Sequence, residues 1–146
     1  MAEDQNKNIA RRLWETFQSG DLDDIDSFVA ADAVLHSTQD PYAHLRGPER
    51  VKKVIEMYRA AFSNLGFTIR MQLAEGDCVC TLLETSGDNT GEFMGMPASG
   101  RHGSVLLTQV DRIVDGKIAE SWSTWDSLSL LQQLGMAPAG AHPATT

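Results

Sequence analysis

The sequence predicts an α+β fold: a strongly curved antiparallel sheet, packed on one face by helices from the first half of the chain, around a central pocket. Three observations predict it. Apolar residues recur near every 3.6 positions as far as Phe62. From Phe67 onward they recur near every second position. The resulting four long strands and one short one present more sheet than water can cover on both faces, so helices must pack on one of them.

Each element follows from its local pattern. Ile9, Leu13 and Phe17, with Trp14 beside them, make one face of an amphipathic helix that Gly20 stops. Asp21 caps a second helix carrying Leu22, Ile25, Phe28 and Val29. Ala33 to His36 reads as a short strand. Gly47-Pro48-Glu49 opens a third helix, where proline's missing N–H costs little. Val51, Val54, Ile55, Tyr58 and Phe62 form its apolar stripe, the clearest in the chain. Phe67 to Leu73 alternates as the first long strand. Glu75-Gly76-Asp77 turns into the second, Cys78 to Thr85. Ser86 to Ser99 is a polar connection with Phe93 and Met94 embedded. Ser104 to Val114 is the third long strand, Asp115-Gly116 a hairpin turn, and Lys117 to Trp125 the fourth. A last helix, Leu128 to Leu134, stops at Gly135. The expected organisation is one domain over 1–136, followed by a disordered Ala-, Pro- and Thr-rich tail, 137–146, that includes His142.

Composition narrows the function. The chain has 146 residues, 42% of them hydrophobic, which suits one domain. Its 12 basic and 20 acidic residues leave a charge of −8 (12 − 20), which gives no electrostatic reason to bind nucleic acid or an anionic membrane. No apolar stretch approaches the roughly 18 residues that span a bilayer. The polar start, MAEDQNKNIARR, lacks the apolar core of a secretory signal. Cys78 and Cys80 share one face of a strand, where geometry opposes a mutual disulfide, so reduced thiols and a cytoplasmic location are expected. There is no G-x-S-x-G, H-E-x-x-H, phosphate-binding Gly loop or C-x-x-C, and the two cysteines and four scattered histidines have no zinc spacing.

Three groups of residues, in this order, carry a family resemblance. They are Glu75-Gly76-Asp77; Thr90-Gly91-Glu92-Phe93-Met94-Gly95-Met96-Pro97 with Gly100-Arg101; and Asp115-Gly116-Lys117-Ile118 followed by Glu120, Trp122, Asp126 and Leu130 to Gly135. Over roughly residues 5–136 the chain resembles the SnoaL-like polyketide cyclases, or ester cyclases, of the nuclear transport factor two-like superfamily. The resemblance implies a cone-shaped α+β barrel that works without metal or organic cofactor. It also implies an intramolecular aldol condensation, in which an aspartate takes a proton from a carbon next to a carbonyl. A small apolar or aromatic carbonyl compound is then the expected substrate. The alternatives are a cofactor-independent hydroxylase, an isomerase or hydratase in the same pocket, and a binding protein without chemistry. The chain departs from the family at Thr81-Leu82, where Arg-Trp is frequent, and at Glu84, where a neutral residue is usual.

Carried over residue by residue, the resemblance assigns the base to Asp126, which matches the aspartate of the family's W-x-x-x-D motif. Beside Trp122 and Trp125, desolvation would raise its proton affinity towards the working pH. The competing reading is an N-cap for the last helix. His36 stands where the family often has a polar pocket residue, and would hydrogen-bond a developing enolate; otherwise it is a half-buried histidine bonded to a carbonyl. Strict alternation puts Trp122 on one face with Ile118, Glu120, Thr124 and Asp126, as a pocket wall. Gln109 and Asp111 share a face of the third long strand with Val105, Leu107 and Ile113. Gln109 is expected to line the pocket, whereas Asp111 could equally pair outside with Arg112 or Arg70. His102 is expected at the mouth, Phe93 and Met94 in a lid, and Tyr58 beside the substrate or in the core. Both faces of the third long strand are apolar, so a second subunit is expected on one, in a homodimer or homotetramer.

Overall fold

A computed structural model describes residues 2–37 and 39–138. The expected tail thus falls almost entirely outside the described residues. Helix α1 (Ala2–Ser19) buries Ala10, Leu13 and Trp14. Gly20 ends it at φ +76°, its N–H donating to Thr16 O at 2.8 Å. A 3-10 turn (Leu22–Asp24), capped by Asp21, leads into the single turn of α2 (Ile25–Phe28). Val29, expected in that helix, instead starts strand β1 (Val29–His36). Helix α3 (Gly47–Ala61) begins at the Gly-Pro signal. Phe62, the last residue of the expected stripe, already belongs to β2 (Phe62–Glu75), so α3 is one residue shorter than its apolar period. Strands β3 (Cys78–Asn89), β4 (His102–Val114) and β5 (Lys117–Trp125) follow, then α4 (Ser127–Gln133).

The strands form one curled sheet in the order β1-β5-β4-β3-β2. The expectation of an antiparallel sheet is corrected at one edge: β1 runs parallel to β5, pairing Leu35 with Ser121 and His36 with Trp122. The sheet is therefore mixed. Helices α1, α2 and α3 cover its concave face, burying Ile25, Phe28, Val51 and Ile55 against Val79, Leu83 and Leu107. A second cluster joins Ala61, Phe62, Phe93, Leu130 and Leu134 at the end where α4 packs.

One irregularity sets which residues reach the interior. In the β4–β5 ladder Arg112 pairs with Glu120 but Ile113 pairs with Ile118, so Ala119 is an extra residue on β5. This bulge reverses the strand's parity. Ile118 points inward on one side of it, and Ser121, Ser123 and Trp125 on the other.

Candidate active site

Between the helices and the concave face lies a cavity of about 150 Å³. Leu13, Trp14, Val51 and Val54 form its helical wall; Leu107 and Trp125, paired across β4 and β5, belong to its sheet wall. Such a lining favours an apolar body with a few polar groups to fix its orientation. Those groups include Gln109 and Ser123, paired on β4 and β5, together with Asp40, Arg50 and Tyr58.

Asp40 and Arg50 form a pair at 2.8 Å, with side chains 8% and 10% exposed. Asp40 also accepts from the Tyr42 N–H at 2.7 Å, so both its oxygens are engaged. Burial, and then the Asp40 charge, push the Tyr58 hydroxyl up to about 12. It is therefore a phenol, able to donate, across the ordinary pH range.

Asp111 lies one inward-facing position beyond Gln109 and is fully buried. Its Oδ1 accepts from Gln109 Nε2 at 2.9 Å and from Ser121 Oγ at 2.5 Å. Its Oδ2 is buried without a partner. Burial pushes this carboxyl up to about 6, against the opposing pull of Ser121, Gln109 and the Arg50 charge. A carboxylate with one unengaged oxygen and a proton affinity near working pH can take and return a proton.

The family model for SnoaL-like polyketide cyclases matches residues 7–134. The chain belongs to that family. Among its relatives is the aklanonic acid methyl ester cyclase DnrD of Streptomyces peucetius, 31% identical over 129 residues, which span 88% of this chain and 89% of that one. The nogalonic acid methyl ester cyclase of Streptomyces nogalater is 31% identical over 124 residues, covering 84% and 92% of the two chains. The structure of TsrD from Streptomyces laurentii superposes with a TM-score of 0.82 at 26% identity, covering 92% of this chain and 97% of that one.

Within this SnoaL-like fold, Gln109 and Tyr58 line the cavity, while the other expected site residues stand elsewhere. Asp126 is corrected from base to cap: it is exposed, and its Oδ1 accepts the Ser129 N–H at 3.0 Å at the start of α4. Trp122 is 40% exposed, outside the cavity, because the bulge at Ala119 reversed the parity that was to bring it in. His36, also exposed, stacks on Trp122 at 5.2 Å and sits 2.6 Å from Glu120 Oε2. His102 is exposed and pairs with Asp88 at 2.8 Å. Met94 is 63% exposed, so it closes nothing. Phe93 is buried against Phe62 and Tyr58 rather than forming a lid over the cavity.

Two residues were missed or left undecided in the sequence. Asp111 shares the inward face of β4 with Val105, Leu107 and Ile113, a sign that it is interior; neither Arg112 nor Arg70 is its partner. Arg50 stands one turn before Val54 on the apolar stripe of α3, a placement a solvated arginine has no reason to take. Among the described residues, no group of three His, Cys, Asp or Glu could hold a metal ion, and no helix is long and apolar enough to cross a membrane.

Proposed function

We propose that this SnoaL-like protein closes a ring in the methyl ester of a polyketide acid by intramolecular aldol condensation, using no metal or organic cofactor, with Asp111 as acid and base. The observation that carries this reading is the fully buried Asp111 carboxyl with one unengaged oxygen, hydrogen-bonded through its other oxygen to Gln109 of the cavity lining. Rotation of the Gln109 side chain opens Asp111 to the cavity. Asp111 takes a proton from a carbon next to a carbonyl, and the electron pair left behind delocalises onto the carbonyl oxygen. The Tyr58 hydroxyl and the Gln109 amide are the donors for that oxygen. The enolate carbon attacks a second carbonyl, a C–C bond forms, and the new alkoxide takes the proton back. No redox partner is required.

The test is ring closure of aklanonic or nogalonic acid methyl ester by the purified protein, followed by chromatography and mass spectrometry. Product of unchanged mass and altered spectrum is expected. Val54→Phe, which fills the helical wall, is expected to raise KM at least about tenfold. Failure of both esters to bind or react would overturn the reading.

The outer face of the sheet is covered by a second copy of the chain. Leu73, Cys80, Val110 and Trp122 stand side by side across four strands there, and Met71 lies beside Leu73 on the same face. Leu73 is 60% and Met71 50% exposed, and a two-fold axis through this patch makes it self-complementary. Sedimentation is expected to show a dimer or tetramer for the native chain and a monomer for Leu73→Lys; a monomeric native chain at micromolar concentration would refute this.

A further inference from the structure

Among the described residues three buried side-chain atoms have no hydrogen-bond partner: Asp111 Oδ2, Trp14 Nε1 and Arg50 Nε. The acid–base step uses the first. The other two are N–H donors, one on α1 and one on α3, and both residues line the cavity. Folded proteins seldom leave a buried donor unpaired, because it gives up its bonds to water and gains none in return. Two such donors in the lining of one cavity suit the recognition of an oxygen-bearing ligand. We infer that Trp14 Nε1–H and Arg50 Nε–H are substrate-binding donors that hold carbonyl oxygen of the ligand, so that the cavity selects a neutral aromatic carbonyl compound over a hydrocarbon of the same shape.

The groups around these donors do not absorb them. An indole N–H lies in the plane of its ring. Trp14 stacks on Phe17 with centroids 5.4 Å apart and planes only 22° apart, so its N–H runs alongside the Phe17 ring and does not point at the π face. Asp40 accepts from Arg50 Nη1 through one oxygen and from the Tyr42 N–H through the other, which leaves Arg50 Nε unserved. The same ion pair restrains the guanidinium, so less freedom is lost when a ligand binds it. Both unused groups can only donate, so the ligand must supply the acceptor. Asp40 and Arg50 are the only charged residues of the lining, and they neutralise each other. A neutral carbonyl therefore fits better than a carboxylate, whose buried charge would find no counter-charge left over. The apolar side chains of the same wall, Leu13, Val51 and Val54, suit a hydrocarbon body that carries that carbonyl.

This inference deepens the cyclase reading and rests on it for the class of ligand, but its test needs no turnover. The probes are 1-tetralone and tetralin, the same bicycle with and without a carbonyl oxygen, titrated into the full native chain. The indole ¹H–¹⁵N resonances are followed by NMR, with Trp122, which stands outside the cavity, as the control. The Trp14 indole proton is expected to move downfield with 1-tetralone and not with tetralin. The double variant Trp14→Phe/Arg50→Lys removes both N–H groups and keeps a cation for Asp40. It is expected to lower the ratio of 1-tetralone to tetralin affinity roughly fivefold or more, the worth of one net hydrogen bond. If that variant does not fold, the native resonances decide alone. A Trp14 resonance that ignores saturating 1-tetralone, one that moves equally with tetralin, or a ratio that the double variant leaves unchanged overturns the inference. If the probes behave as expected but neither polyketide ester reacts, the inference stands and the cyclase reading falls. If the esters react with a KM that the double variant leaves unchanged, the inference falls and the cyclase reading stands.

Discussion

Replacing Asp111 with Asn is expected to lower turnover roughly 10²–10⁴-fold, the usual contribution of a positioned acid–base group, while the chain still folds. Asn keeps the shape and an oxygen for the Gln109 and Ser121 bonds, so the loss is chemical. The native acidic limb of kcat/KM should fall near pH 6, where Asp111 takes up its proton. The same substitution has a stability signature. Asp111 rises from 3.8 to about 6 on folding, so between these values the native state binds more protons than the unfolded chain. Its contribution is therefore fully present below pH ~4 and lost as pH rises through about 6. Two pH units correspond to about 3 kcal/mol. Denaturation at pH 4 and at pH 7 should show the stability difference between the native chain and Asp111→Asn moving by that order in favour of the variant at pH 7. A variant that turns over normally, or a difference independent of pH, would remove Asp111 from the mechanism.

Replacing Gly47 with Ala is expected to cost about 3 kcal/mol and lower the melting temperature by about 9 °C. Gly47 opens α3 at φ +66°, where a side chain is strained, and an added Cβ would stand 2.2 Å from the Ala31 carbonyl oxygen of β1. That oxygen is main chain, so it cannot step aside as a flexible side chain would. The displacement travels up α3 to Arg50 and Tyr58, so turnover should fall as well. A loss under about 1 kcal/mol in thermal or chemical denaturation would mean that β1 and α3 do not approach so closely.

The same helix shows how far local pattern reaches. The Gly-Pro start and apolar stripe of α3 are legible in the sequence because they depend on backbone sterics and a 3.6-residue period. Its end is less so: Phe62 continues the stripe but joins the ladder, pairing with Asn89. Tertiary hydrogen bonds there outweigh propensity. At the site, Gln109 was legible because β4 alternates regularly as far as Arg112. Trp122 and Asp126 were misplaced together by one cause. Their face was counted from Ile118 at a period of two, and a single inserted residue, Ala119, turned every later side chain over. His36 followed them outward, since it pairs with Trp122.

The sequence by itself determined the α+β class, the order of the elements, the SnoaL-like family and the helix-capping signal of Asp126, because each rests on local periodicity, turn chemistry or contiguous motifs. Only the tertiary structure decided that β1 runs parallel to β5, that Asp111 rather than Asp126 is buried, and that Arg50 pairs with Asp40 in the cavity wall. Those depend on ladder register and on contacts between residues distant in the chain, for which no local pattern exists.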